Sequence, residues 1–322
     1  MLNIAILGPG NWAKRLVGSV QGRSESVRFS VAGSRAPERH ADFGAAFGIP
    51  VVPYASVYAR ENVDAVLIAT PHSEHRDQAI AAARAGKHVF CEKPLALSAA
   101  DADAIIAECD RAGVVLAHGF NRRFAPAYLE MARRIGAGEL GTLLHIEGQF
   151  SGPSGLALKP GAWRATREQC PAGAMTARGI HALDTMIALA GPVSRVFAQS
   201  DRRVLEVDVD DVTSGLLRFA GGVTGYIASH HATAEIWRIQ AYGTKGWLEM
   251  RSDNVLTFSP TDGANETVAL DQVDKERSEL EAFAAAVGGT AAYPVTSTQA
   301  RNGIAVLQAM AQSAVSGQPV DL

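Results

Sequence analysis

Short apolar runs and helical stretches alternate through the first third of the chain. Residues 3–7 form an apolar strand, broken by Gly8-Pro9-Gly10-Asn11-Trp12-Ala13, and residues 14–20 have helical character. Strands are predicted at 27–32, 51–52, 65–69, 88–91 and 114–117, with helices near 37–47, 74–85 and 98–112. The run at 65–69 is apolar throughout, as a strand buried on both faces of a parallel sheet would be. This alternation predicts an α/β fold that opens with a doubly wound parallel sheet.

The rhythm changes near residue 120. A strand is predicted at 143–150, a helix near 174–190, then a series of strand segments: VSRVFAQ, TSGLLRF, VTGYIAS, WRIQAYG and GWLEM. Their spacing predicts an antiparallel sheet, followed by helices at 279–287 and 297–316. Two domains are expected, 1–120 and 121–322, in keeping with 322 residues.

The formal net charge of −3 argues against a nucleic-acid partner. No run reaches the length of a membrane span. The start, MLNIAILGPG, lacks the basic segment and cleavage site of a signal peptide, so a cytoplasmic location is expected. Cys91, Cys109 and Cys170 have no metal-ligand spacing and read as free thiols. His230 and His231 should point to opposite strand faces, so no metal site is predicted.

The segment 8–13 fits G-x-G-x-x-[GA] between a strand and a helix. Gly8 permits the tight turn, Gly10 lets a pyrophosphate approach the backbone, and Ala13 lets helix and strand pack closely. The helix N-terminus offers free N–H groups to the phosphates. After the second strand, Gly33-Ser34-Arg35 and Arg39 provide no carboxylate for the ribose hydroxyls. A hydroxyl and guanidinium groups suit a 2′-phosphate, so NADP is expected in preference to NAD.

The stretch ATPHSEHRDQAIAAARAGKHVFCEKP (69–94), FNRRF (120–124), GIHALD (179–184), YGTKG (242–246) and the ending SGQPVDL resemble the Gfo/Idh/MocA family over essentially the whole chain. The resemblance implies a Rossmann domain, then an α/β domain with a large, mostly antiparallel open-faced sheet. It implies hydride transfer between NAD(P) and a CH–OH or carbonyl carbon of a sugar, polyol or hydroxy acid. Thr70, Pro71, His72, His75, Glu92, Lys93 and Pro94 join Asn11 and Trp12 as expected cofactor contacts. Lys93 matches the catalytic lysine, in a Lys–Pro peptide often cis in the family. A lysine beside the reacting oxygen can move its proton, helped by burial and a cationic ring that lower its pKa. Lysine is also scarce here, 6 of 30 basic residues.

His181 matches the family's histidine and is expected to handle a proton or position substrate. Where the family has an aspartate, this chain has Ala177. On a regular helix 177, 181 and 184 would share a face, leaving Asp184 to contact His181. Arg123, Trp163, Arg164, Arg178 and Asp184 are candidate substrate residues. With Arg167, the basic group raises the possibility of an anionic substrate. Two alternatives remain open: a dinucleotide-binding regulator without turnover, and a hydrolase that uses bound NAD transiently. The resemblance also implies a homodimer or homotetramer, with a small-molecule substrate.

Overall fold

The computed structural model describes residues 1–322 and divides into two compact units. The first comprises Met1–Ala96, Ala100–Asn121 and Asp274–Ser297; the second comprises Leu97–Ala99, Arg122–Val273 and Thr298–Leu322. A single cut at 120 therefore does not describe the units, because the segment 274–297 returns to the first.

The first unit holds β1 (Leu2–Leu7), β2 (Val27–Ser34), β3 (Val51–Pro53), β4 (Ala65–Ile68), β5 (His88–Glu92) and β6 (Leu116–Gly119), with α1 (Asn11–Val20), α2 (Ala41–Phe47), α3 (Tyr54–Tyr58), α4 (His75–Arg84) and α5 (Ala99–Ala112) in the connections. All its strand pairs are parallel, in the order β3-β2-β1-β4-β5-β6. The order reverses beside β1, which places a crevice at the carboxyl ends of the strands. Every residue of β4 is buried, which accounts for its unbroken apolar run. Helix α1 starts at Asn11 rather than 14, because its opening residues face the turn and lack apolar periodicity. The helix expected at 37–47 is a 3₁₀ turn, Pro37–His40, followed by α2; His40 departs from helical geometry at the junction.

The second unit contains α6 (Pro126–Gly136) and α7 (Ile180–Ala190). Its strands are β7 (Leu143–Ser151), β8 (Val193–Asp201), β9 (Val212–Phe219), β10 (Thr224–His230), β11 (Ile236–Gly243), β12 (Gly246–Met250), β13 (Val255–Pro260), β14 (Glu266–Ala269) and β15 (Val320–Asp321). The nine strands run in the order β14-β13-β12-β11-β7-β10-β9-β8-β15, antiparallel except for β7 with β10. Helix α8 (Lys275–Val287) belongs to the first unit, and α9 (Ser297–Ser316) lies almost wholly in the second. Helices cover one face of this sheet at close range. A Cβ on Gly148 would stand 2.5 Å from Met186 Sδ, and one on Gly215 would stand 3.0 Å from Met310 Cε. On the other face Phe197 pairs across to Leu216, and Leu216 to Tyr226. Leu216 is 57% exposed and Tyr226 39%.

Leu280 and Phe283 of α8 pack into the first unit's core with β1, β2 and α1 residues. The same helix buries Glu279 completely, and neither carboxyl oxygen has a hydrogen-bond partner. Burial, then Glu92 and Glu276, push this carboxyl well above its usual range, against a weaker pull from Lys275. The folded chain therefore keeps a proton that the unfolded chain releases above about pH 4, and stability falls as pH rises. Glu279→Gln copies the neutral form. Its melting temperature, followed by circular dichroism, should gain a few degrees on the wild type between pH 5 and pH 8. A pH-independent difference would contradict this.

Candidate functional site

Four loops of the first unit lie at the carboxyl ends of β1, β2, β4 and β5. The first is the glycine turn. Gly8 has φ +83°, and a Cβ there would meet the Ala69 carbonyl oxygen at 2.8 Å. Only glycine fits, so β1 is pressed directly against the end of β4. Gly10 is open: a Cβ on it would find its nearest neighbour at 4.0 Å. Gly10 caps α1 without a side-chain hydrogen bond, and no acidic residue occupies the first helical turn. The helix N–H groups are thus left for an external anion. Ala13 is fully buried in the core, and Asn11 is exposed. These features fit the pyrophosphate of a dinucleotide.

The indole N–H of Trp12 donates to Glu92 Oε1 at 2.5 Å, and the Lys93 backbone N–H donates to Glu92 Oε2 at 3.2 Å. A Cβ on Gly119 would stand 2.8 Å from this carboxylate. Glu92 thereby ties the glycine turn to the end of β5. Lys93, half-exposed, follows it, and the Lys93–Pro94 peptide is cis. The His75 ring, fully buried, contacts the carbonyl of Pro94 at 2.8 Å through Nδ1 and that of Thr70 at 3.1 Å through Nε2. Pro71 leads into a 3₁₀ turn that carries His72, whose buried ring stands edge-on to His75 at 5.7 Å. Cys91 is buried, and burial raises its thiol well above the usual range, so it is packed rather than nucleophilic.

At the end of β2, buried Ser34 accepts a hydrogen bond from the Ala36 N–H at 3.1 Å. Arg35 and Arg39 are exposed. Arg35 forms an ion pair with Glu74 at 2.5 Å. The strand end itself carries no carboxylate, but the β4–α4 loop brings one to its arginine. Nothing in the local sequence around 34 signals this contact.

In the second unit, residues Met175–Gly179 form a π-helical turn ahead of α7. A Cβ on Gly179 would lie 2.8 Å from Ser229 Cβ, and the Ser229 hydroxyl reaches the carbonyls of Phe150 at 2.6 Å and Ala174 at 3.1 Å. Ala177 sits in this wider turn, off the regular spacing read from sequence. Such turns recur at functional sites. His181 is buried with its ring 5.9 Å from Phe150. The Arg122 and Arg178 guanidinium carbons stand 5.0 and 4.9 Å from the same ring, and Trp237 packs edge-on at 5.2 Å. Arg178 also donates to Ser154 Oγ at 3.1 Å and to the Ser151 carbonyl at 3.3 Å.

The other arginines are differently employed. Arg167 bonds Asp210 with both terminal nitrogens and Asp208 through Nε. Arg164 stacks on its neighbour Trp163 at 4.5 Å. Asp184 lies against Arg123 at 3.2 Å, each 3% exposed, whereas helical spacing alone predicts a contact with His181. Arg123 also bonds the Tyr128 hydroxyl and Gln299.

Burial pushes the Asp184 carboxyl up to about 6 despite the attraction of Arg123. Between about pH 4 and 6 the folded chain holds a proton that the unfolded chain has released, so this group's contribution falls as pH rises through that window. Above it, the ionised carboxylate depends on Arg123. Arg123→Met should therefore cost about 3 kcal/mol in urea unfolding at pH 8, and less at pH 5, where Asp184 is protonated. An equal loss at both values would contradict the pairing.

Residues 2–120 match the family described as an oxidoreductase family with an NAD-binding Rossmann fold, and 128–249 match the GFO/IDH/MocA C-terminal domain. The chain is 32% identical to D-xylose 1-dehydrogenase (NADP(+)) 2 of Haloferax volcanii, over 98% of each chain. It is 29% identical to 1,5-anhydro-D-fructose reductase of Ensifer adhaerens, over 90% of this chain and 89% of the relative. The solved structure of aldose-aldose oxidoreductase from Caulobacter crescentus, complexed with glycerol, superposes with a TM-score of 0.89 at 27% identity, covering 100% of this chain and 99% of that one.

Proposed function

Because the chain belongs to the Gfo/Idh/MocA family of nicotinamide-dependent oxidoreductases, we propose that it moves a hydride between NADP and the CH–OH carbon of a neutral aldose or polyol. The observation that carries this reading is the edge of the first sheet. There an open glycine turn, an uncapped helix N-terminus and a clamped Lys93–Pro94 peptide lie together. The dinucleotide, when bound, supplies a nicotinamide carbon able to accept or release hydride. Gly10 and the first turn of α1 would hold its pyrophosphate. Ser34, Arg35 and Arg39 would face the adenosine ribose, with the guanidinium groups favouring a 2′-phosphate.

Lys93 is assigned the proton of the reacting oxygen: its Nζ donates as a carbonyl is reduced and accepts as an alcohol is oxidised. His181 is assigned to proton handling or substrate contact within the second unit. A neutral substrate is favoured over an anionic one because Arg167 is neutralised by two aspartates and Arg178 is engaged with Phe150, Ser154 and the backbone. Several relatives act on neutral sugars by name, among them the xylose dehydrogenase.

Lys93→Met should lower turnover about 100-fold or more while the NADPH dissociation constant stays within about 2-fold, since the glycine turn is untouched. Steady-state assays at 340 nm with fluorescence titration check this, and near-normal turnover on a true substrate would contradict it. Net accumulation of reduced cofactor in the same assay separates this reading from a non-catalytic regulator and from a hydrolase.

The exposed Leu216 and Tyr226, in a row with half-buried Phe197, further support association through the open face of the nine-stranded sheet as a homodimer or homotetramer. Light scattering at micromolar concentration should give a multiple of 33.9 kDa, and Leu216→Arg should reduce that mass. A monomeric wild type would contradict the assembly.

A further inference from the structure

The end of β2 and the β4–α4 segment form one polar chain in the first unit. Thr70 Oγ1 donates to Gln78 Oε1 at 2.7 Å, Gln78 Nε2 donates to Glu74 Oε2 at 2.9 Å, and Arg35 pairs with Glu74 Oε1 at 2.5 Å. Gly8 is pressed onto Ala69 and Thr70 at the start of this chain. Tyr54, from α3, also feels the charges of Glu74 and Arg35. The two partners differ in freedom. The Arg35 side chain is 76% exposed and can swing, whereas Glu74 is 18% exposed and braced by Gln78. The carboxylate is the fixed member of the pair.

A fixed carboxylate beside an adenosine ribose has opposite effects on the two nicotinamide dinucleotides. It accepts a hydrogen bond from a free ribose hydroxyl, the usual role of an acidic residue in this part of a Rossmann fold. It also repels a 2′-phosphate and competes with that phosphate for Arg35. We propose that Glu74 is a specificity-determining residue for the cofactor, restraining the preference for NADP that Arg35 creates and keeping NAD a competent ligand. This rests on the reading that the adenosine half lies against Ser34, Arg35 and Arg39. The residue that balances the cofactors thus comes from the β4–α4 loop and not from the end of β2.

The test is fluorescence titration of the full-length wild type and Glu74→Gln with NADPH and NADH. Glu74→Gln removes the charge and keeps the size and the contact to Gln78. The NADPH dissociation constant should fall about 10-fold, while that for NADH is unchanged or rises. Glu74→Asp, which keeps the charge, should stay nearer the wild-type ratio. Should the Gln variant fail to fold, Glu74→Ala serves with the same expected direction. A merely structural role would weaken both cofactors together. A ratio unchanged within about 2-fold, or shifted toward NADH, would overturn the proposal. The two readings fail separately. Equal affinities in the wild type with a ratio that rises in Glu74→Gln would sink the NADP preference but keep the role of Glu74. A strong wild-type NADPH preference that Glu74→Gln leaves unmoved would do the reverse.

Discussion

The carboxylate of Glu92 holds the functional edge of the first unit in one arrangement. One oxygen takes the Trp12 indole N–H from the glycine turn, and the other takes the backbone N–H of Lys93. Gly119, on the neighbouring strand, has no side chain and leaves the room that the carboxylate occupies. Hydrogen bonds to a charged group contribute about 1.5–3 kcal/mol each, and more is lost when a buried donor is stranded. The turn that would hold the pyrophosphate and the residue assigned to the proton are thereby joined through a single side chain. His75 completes the clamp from α4 by binding the carbonyls of Thr70 and Pro94. Lys93 is consequently flanked by two fixed neighbours while its own side chain stays half-exposed.

Concentrating carboxylates here has a cost. Glu279 lies fully buried near Glu92 and Glu276, and its protonation relieves the repulsion. Glu276 is partnered by Arg15 and by Asn121. The second unit uses a different device. Its π-helical turn locks onto β10 through Gly179 and Ser229, and Phe150 becomes the platform for His181, Arg122 and Arg178. Arg123 and Asp184 neutralise each other beneath the surface, so the FNRRF segment is anchored to α7.

Much of the first unit was legible because parallel strands buried on both faces leave unbroken apolar runs, and because Gly8, Gly10 and Ala13 answer a local steric demand. What escaped the sequence reading depends on contacts between distant positions. Arg35 meets Glu74 across 39 residues, and Arg123 meets Asp184 across 61; neither leaves a periodic trace. The segment 274–297 follows the second sheet in sequence, yet Leu280 and Phe283 fill the first core. Helix α6 is not among the elements the sequence predicts, although Pro126 stands in its first turn, and Ala127, Tyr128 and Met131 lie on its buried face. The wide turn at 175–179 looks like ordinary helix in sequence, since its geometry comes from the close packing of Gly179 on β10.

Direct hydride transfer at a CH–OH carbon is tested most directly by isotopic labelling. The enzyme would be incubated with NADP and a panel of aldoses and polyols deuterated at the carbinol carbons, and the reduced cofactor weighed by mass spectrometry. With a true substrate, the NADPH formed should carry one deuterium and be about one mass unit heavier. Unlabelled NADPH formed from a substrate labelled at its reacting carbon would contradict direct transfer, and no reduction by any member of the panel would contradict the proposed substrate class.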